Sequence, residues 1–137
     1  MPKQSGLGWD TFNVDDATGT PQDLVNDTTN FQFATPRATQ DTTGLDKSAM
    51  ERLLLLADFS ATANGVFNPS ADKSHDVFKT VTSTSVARTL EFGIGGISMT
   101  NECLITDYPL TRADSGEFTW AVPFALCDGT VPTWESA

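Results

Sequence analysis

Few residues in this chain are of the types that catalyse reactions or bind metals, and their spacing favours neither role. The single histidine, His75, stands beside Asp76 in a segment predicted to be helical, where a solvated imidazole is the commoner interpretation. The two cysteines, Cys103 and Cys127, have no second pair at a zinc-site spacing. The run Phe92-Gly93-Ile94-Gly95-Gly96 precedes no helix signal, which is typical of a hairpin turn and not of a phosphate-binding loop.

Clustered acids do not indicate a site either. Asp15 and Asp16 lie in the turn-forming segment 15–23, but the alternating ligands and terminal Glu of an EF-hand are absent. Three polar residues near a predicted turn fit an ordinary surface network: Asp107, Tyr108 and Arg112. We therefore predict no enzyme activity, no cofactor and no bound metal.

The composition excludes further classes. The 137 residues include 18 acidic and 8 basic side chains, a formal net charge of -10, which argues against a protein that grips nucleic acid. Nine Phe and three Trp are enough for one core in one domain, 1–137. The longest apolar run, Leu53–Ala57, is far too short for a bilayer, so no membrane anchor is expected. The polar N-terminus and the two cysteines predict a product that stays in a reducing cytoplasm.

Strand periodicity is strongest in the second half of the chain. Apolar residues occupy every second position from Phe118 to Leu126, which predicts a strand with an aromatic core face and an edge or bulge at Pro123. Arg88–Ile94 alternates as well and ends at the Gly95-Gly96 turn. A third strand is predicted over Asn101–Thr111, followed by the turn formers Ala113-Asp114-Ser115-Gly116.

A hairpin at that turn would pair Arg112 with Phe118. Cys103 would then lie near Cys127, both on the face opposite the aromatic one, as small thiols without a disulfide. The same register places four residues on the aromatic face: Leu104, Thr106, Tyr108 and Leu110. Because Met99 and Leu104 have opposite parity, a bulge is expected near Asn101-Glu102.

The first half is less regular. Asn68 and Pro69 predict the start of one short helix that continues to Lys79. Segment 35–47 is predicted to be a long polar loop of the kind that is more often functional than accidental. The residues alone leave Leu53–Leu56 open between a helix started by a capping box at Ser48–Glu51 and a buried strand. Shorter strands are predicted at three places: Gly8–Val14, Leu24–Ala34 and Phe59–Phe67. The sum is a mainly β protein with one short helix.

Strand edges normally carry lysines that prevent edge-to-edge pairing, and this chain has few. The order and spacing of several segments over about residues 20–134 resembles the major tail tube proteins of long-tailed, siphovirus-type bacteriophages, particularly those of actinobacterial hosts. These segments are Asp41–Leu45, Leu53–Ser60, Gly65–Asn68, Leu104–Tyr108, Ala113–Trp120 and Asp128–Trp134.

The resemblance implies a tail-tube-type β-sandwich or split barrel with one short flanking helix, a long loop at 35–47 and a C-terminal arm at 128–137. It implies six-membered rings that stack into a tube in the virion tail, assembled in the host bacterial cytoplasm. The implied partners are the chain itself, a tape measure protein, a tail terminator, and phage DNA that passes through the lumen without specific binding. It also favours an extended Leu53–Leu56. By position, the contact between rings falls on one stretch of the long loop: Asp41, Thr42, Thr43, Gly44, Leu45 and Lys47.

An acidic wall would repel DNA phosphates, and we therefore expect part of the acidic excess to line the lumen. Acids that merely solubilise the outer surface are the alternative. Three other functions stay open: a tail terminator or head–tail connector, a capsid cement protein, and a carbohydrate- or receptor-binding β-sandwich. The last would need an exposed aromatic platform, for which Trp9 and Trp134 are free but Trp120 is not.

Overall fold

A computed structural model describes residues 3–136 and confirms the mainly β architecture with one short helix. The elements in chain order are β1 (Thr11–Asp15), β2 (Pro21–Asp23), β3 (Thr28–Ala34), β4 (Arg37–Asp41), β5 (Arg52–Ala57), β6 (Ser60–Val66), α1 (Ser74–Phe78), β7 (Arg88–Ile94), β8 (Ile97–Ile105), β9 (Leu110–Arg112), β10 (Phe118–Leu126) and β11 (Trp134–Ser136). The segment predicted as a loop over residues 15–23 therefore ends in a short strand, β2, which pairs with β1.

Nine of these strands form one antiparallel sheet that curls into a split barrel. Its order is β2-β1-β7-β8-β10-β6-β3, with β9 paired to β10 and β11 paired to β8. β3 stands at the end of this order. The ring centroid of its Phe31 lies 5.0 Å from that of Phe12 in β1 and 4.9 Å from that of Phe92 in β7. Aromatic packing thus brings the two ends of the sheet together, and within residues 3–136 no backbone ladder joins β1 to β3.

The core lies inside this curl and follows the period of two that strands impose. Phe12 and Val14 of β1 are buried, as are alternate residues of β7 and β8. As predicted, β10 points Trp120, Val122 and Phe124 inward, but Phe118 at the start of the predicted core face is exposed and packs on Phe67 at 4.6 Å instead.

The pairing of β10 confirms one predicted register and corrects another. Arg112 of β9 does pair with Phe118. Beyond the break between β9 and β8, however, the partners shift by one residue, so Leu126 pairs with Cys103. Leu104 therefore faces solvent, and the prediction that it shares the aromatic face is wrong. The break coincides with Pro123, which lacks the backbone donor that a partner there would need.

The bulge expected near Asn101-Glu102 is absent, because β7 and β8 pair without a shift from Arg88↔Cys103 to Ile94↔Ile97. The bulge is expected only if Leu104 is counted as a core residue, which would break the alternation that begins at Met99. With Leu104 outside, Met99, Asn101 and Cys103 all face the core in regular alternation.

The two cysteines are neighbours on opposite faces of the sheet, so the prediction that both face away from the core is wrong for Cys103. Cys103 is buried, and Cys127 is exposed with its thiol directed at the Glu102 carbonyl. Both thiols are free. Burial raises the pKa of the Cys103 thiol to about 12.

The helix is shorter than predicted and begins at Ser74 instead of at Asn68. Asp72 adopts a φ of 62°, which is incompatible with a continuous helix from Asn68 onward. The Asn68 amide group is used elsewhere: its oxygen accepts the Ser70 N–H and its nitrogen donates to the Asp27 carboxylate at 3.0 Å. Buried Asp27 also accepts the Ser74 N–H at 3.1 Å, so this one carboxylate fixes the start of α1.

Arg88 holds the other side of the α1 region against the barrel. Its buried guanidinium donates to the Val77 carbonyl at 2.5 Å and to the Thr80 hydroxyl at 2.9 Å. Burial lowers the pKa of this group from its usual value. Among the described residues Arg88 forms no salt bridge, and carbonyl and hydroxyl oxygens accept its hydrogen bonds instead.

We predict that Gly65→Ala destabilises the chain by about 1–3 kcal/mol, because the added methyl group would meet the Trp120 ring and the Asp27 carbonyl. Gly6→Ala is the matched control, since no atom lies within 4 Å of its added methyl group. Urea denaturation of both variants measures the difference. Equal stability of the two variants would contradict the close packing of β6 on Trp120.

Candidate assembly surface

The most unusual feature of the surface is a hairpin that projects from the barrel, which we call the arm (β4, the tip 42–51 and β5). It prolongs the β3–β6 pair: Ala34 pairs with Ser60, and Arg37 then pairs with Ala57. Between the two ladders, the Asp58 N–H donates to the Pro36 carbonyl at 2.9 Å.

The structure of the arm differs from the predicted loop over 35–47 and shows which conformation Leu53–Leu56 adopts. Residues Arg37–Asp41 form a strand, so the prediction of a loop over 35–47 is wrong for these five residues. Neither face of β4 packs on the core, so its residues are polar and show no alternation of apolar side chains that would predict a strand. The extended conformation of Leu53–Leu56 is confirmed, since β5 provides the backbone partners of β4.

The leucines of β5 are exposed on both faces of the arm. Leu53 pairs with Gln40 and Leu54 with Thr39 in regular register, so these two leucines point to opposite faces, whereas the ladder shifts register at Leu55 and Leu56. Their exposed fractions range from 43% to 87%. A hairpin packed on its own barrel would be apolar on one face only. This pattern instead fits a strand that is covered on both faces, and nothing within residues 3–136 covers it.

The tip of the arm is ordered by its own hydrogen bonds. The Asp41 carboxylate accepts the Thr43 N–H at 2.9 Å, and hydrogen bonds from Thr43 lower the pKa of Asp41. The Thr43 hydroxyl accepts the Glu51 N–H at 2.8 Å. A turn closed by the Lys47 N–H and the Gly44 carbonyl, 3.1 Å apart, presents Leu45 fully to solvent. The fold thus brings together the six residues predicted for this contact: Asp41, Thr42, Thr43, Gly44, Leu45 and Lys47.

Charge is distributed unevenly between the arm and the barrel. Between residues 37 and 57 lie three basic residues (Arg37, Lys47, Arg52) and three acidic ones (Asp41, Asp46, Glu51), so the arm is neutral. The remaining five basic and 15 acidic residues place the whole net charge of -10 on the rest of the chain.

The outward face of β2, β1, β7, β8 and β11, which we call the acidic face, holds carboxylates and no basic side chain. Residues paired directly across strands share a face, which aligns Asp23, Asn13, Glu91 and Thr100 in one row. Thr89 pairs with Glu102, Asp15 follows Asn13 on the same face of β1, and β11 adds Glu135 opposite Ser98. Neighbouring side chains donate to two of these carboxylates: Asn13 to Glu91 and Thr89 to Glu102.

The outward face of β3, β6 and β10, which we call the uncharged face, has no ionisable side chain. Its rows include Gln32 opposite Thr62 and Asn64 opposite Ala121. The members are small or polar: Asn30, Gln32, Ala34, Ser60, Thr62, Asn64, Val66, Thr119, Ala121, Pro123 and Ala125. Sequence reasoning missed this contrast, although the acids between core residues in β1, β7 and β8 carried the signal.

The residue types capable of chemistry are not brought into one site. His75 Nδ1 lies 3.2 Å from the Tyr108 hydroxyl, half-buried beside Phe67. Asp107 accepts the Tyr108 N–H, whereas Arg112 donates to the Ala113 carbonyl, so the predicted surface network does not form. Partial burial raises the pKa of Asp16, but hydrogen bonds from Thr18, Thr20 and Gln22 outweigh it and lower the pKa to about 2. Residues 3–136 contain no cluster of metal-ligating side chains.

No helix in the described part of the chain is long and apolar enough to cross a membrane. No protein-family model and no curated sequence matches the chain.

Solved structures share its fold over nearly the whole length. One is a chain in the tail of an empty gene transfer agent particle, refined helically with C6 symmetry. The two chains align with a TM-score of 0.72 and 15% identity, over 98% of this chain and 99% of that one. Another is a chain in the virion of a native gene transfer agent particle, with a TM-score of 0.74 and 14% identity, over 98% and 100%. The predicted tail-tube-type fold is thereby confirmed.

We predict that the arm leucines add nothing to the stability of the isolated chain. The double variant Leu54→Ala and Leu56→Ala should change the unfolding free energy by no more than about 0.5 kcal/mol, because both side chains are exposed. Leu90→Ala, which removes a buried leucine, should cost about 2–5 kcal/mol. Urea denaturation at low protein concentration tests this, and a large loss in the double variant would mean that the arm folds onto its own barrel.

Proposed function

We propose that this chain is a tail tube protein of a phage-like particle, whose copies form rings of six that stack into a hollow tube. The observation that carries the proposal is the arm, a two-stranded extension of the barrel whose leucines are exposed on both faces. Isolated two-stranded hairpins are marginal in water, so an arm of this kind needs contacts from other copies. The shared fold with a chain of a C6-symmetric tail supports the ring size.

In this proposal, residues 1–137 act as a single tail tube domain, with the arm making the contact between rings. The tip residues Asp41 to Lys47 reach the next ring because the arm leaves the barrel at the C-terminal end of β3. Five strand residues at about 3.3 Å each carry the tip roughly 17 Å beyond its base. Residues 128–133 have no regular structure and lead to β11, which pairs with β8. The C-terminal segment 128–137 therefore contributes a strand to the barrel of its own copy.

The acidic face is the best candidate for the wall of the lumen. It carries at least five carboxylates per copy, from Asp15, Asp23, Glu91, Glu102 and Glu135, and offers no cation to replace the counterions of DNA. Screening over about 8 Å limits the repulsion to phosphates near the wall, which suits a conduit that must release DNA at every position. The uncharged face would repel DNA less and suits protein contacts.

The resemblance noted in the sequence extends the proposal to a long-tailed phage of actinobacterial type. The chain would assemble in the host bacterial cytoplasm and reside in the virion tail. Its further partners would be a tape measure protein inside the tube and a tail terminator at its end. DNA would pass through during ejection without specific binding.

We expect the purified chain to form long tubes at high concentration, visible by negative-stain electron microscopy. A tube protein often polymerises alone, whereas a terminator, connector or cement protein stops at rings or monomers. The double variant Leu54→Asp and Leu56→Asp should keep the barrel folded and abolish tubes, because charged side chains cannot be buried between copies. Wild-type preparations that contain only single rings or monomers would contradict the proposal.

A second experiment tests the position of the acidic face. Thr100→Lys and Thr62→Lys each add one positive charge at an exposed threonine, the first on the acidic face and the second on the uncharged face. Tubes would be assembled with a short oligonucleotide and then treated with nuclease to remove DNA outside them. We expect Thr100→Lys to retain more protected oligonucleotide than the wild type, with retention falling as salt rises. Retention by Thr62→Lys alone would place the uncharged face at the lumen.

A further inference from the structure

Leu45 is presented to solvent by an ordered turn. The turn from Gly44 to Lys47 is closed by its own backbone hydrogen bond, and Thr43 ties it to Glu51. A fully exposed leucine at the tip of such a turn gains nothing within its own copy. The order of the turn means that little conformational entropy would be lost if Leu45 entered a pocket on another molecule.

The same chain contains an apolar cleft of suitable size. A cleft of about 240 Å³ lies between β1 and β3, where the barrel is split. Its lining has no charged residue and combines an apolar part, formed by Trp9, Phe12, Val25 and Phe31, with the polar side chains of Thr28, Thr29 and Asn30, so the apolar part is where Leu45 would bind. The Trp9 indole N–H donates to the Thr11 carbonyl at 2.7 Å, so the polar atom of that ring is already satisfied. An aliphatic side chain is therefore the occupant that this cleft fits.

The cleft and the arm lie toward opposite ends of β3. The cleft is lined by Thr28 to Phe31 in the N-terminal half of the strand, whereas the arm begins beyond Ala34 at its C-terminal end. The arm therefore points away from the cleft of its own copy. Contacts between two different patches at opposite ends of a molecule are heterologous, and when the rotation does not close they generate an open filament.

We propose that Leu45 of one copy inserts into the cleft formed by Trp9, Phe12, Val25 and Phe31 of a copy in the next ring. This inference rests on the proposed function and names the receptor of the arm. The contact joins an uncharged cleft to a neutral arm, so it forms without like-charge repulsion between acidic barrels. It also sets a direction for the stack, because each ring has tips at one end and clefts at the other.

Two variants separate the two halves of the contact. Leu45→Asp removes the inserted side chain and keeps the cleft. Gly6→Trp fills the mouth of the cleft and keeps the tip, and nothing within 4 Å of Gly6 opposes a side chain there. Each variant alone should raise the protein concentration needed for tubes by about tenfold or more. Leu45→Met and Gly6→Ala are the matched controls and should form tubes as the wild type does.

Mixing the variants gives the decisive result. Rings of Leu45→Asp still have open clefts and rings of Gly6→Trp still have intact tips, so an equal mixture should form pairs of rings that cannot grow. Sedimentation velocity would detect these pairs, and neither variant alone should form them. A mixture without pairs would overturn the inference, because the tip would then have another receptor.

A disulfide test covers the case in which Gly6→Trp does not fold. Val25 is half-buried and lines the cleft, so Leu45→Cys and Val25→Cys in a Cys127→Ser background should form an oxidised ladder of multimers in assembled material. Either cysteine alone should give no ladder beyond a dimer. No ladder from the double variant in intact tubes would overturn the inference.

The outcomes also distinguish this inference from the proposed function. Tubes from the wild type and equally from Leu45→Asp would refute the insertion of Leu45 and leave the tail tube function standing. Failure of the wild type to form tubes would refute the tail tube function itself.

Discussion

The two strands of the arm leave leucines exposed on both faces, and the division of this structure into barrel and arm follows from that constraint. The barrel satisfies its own backbone and core without the arm, since the exposed side chains of β4 and β5 contribute no packing to it. The arm is therefore free to project, and its apolar surface is kept for other copies. Stability and assembly are thus assigned to different residues of one continuous hairpin, β3-β4-β5-β6.

The barrel end of that hairpin is packed closely into the core. Phe31 and Phe33 of β3 stack at 5.4 Å and contact Phe92 across the split. On the other side of β6, Gly65 allows close approach of the Trp120 ring, and Asp27 ties the start of β3 to α1. A projecting arm can position its tip only if its base is fixed. Phe33, one residue before Ala34 where the arm begins, packs on Phe92 at 4.6 Å and on Phe59, so the core packing reaches the base of the arm.

The sequence predicted the elements that period-two patterns mark and missed those that depend on tertiary pairing. The core face of β10 and the Arg112–Phe118 register followed from alternation and turn chemistry. The one-residue shift at Cys103 did not, because an exposed Leu104 looks like a core residue in a pattern. β4 was missed because its polar residues form a strand only through the partner β5. The six tip residues were predicted from the resemblance, whereas the cleft between β1 and β3 depends on how the sheet curls.

The position of the net charge determines which surfaces of two copies repel each other. With a net charge of -10 on the barrel and a net charge of zero on the arm, copies repel through most of their surface and meet no net repulsion at the arm. A uniformly acidic chain would be soluble but would resist stacking, and a uniformly apolar one would aggregate without order. In the proposed tube, separating the two properties would let repulsion reject wrong contacts while the neutral arm and the uncharged cleft select the proposed one. In the proposed tube the same acidic excess would serve a second purpose at the lumen, because carboxylates that repel neighbouring copies in the wrong orientation also repel DNA phosphates.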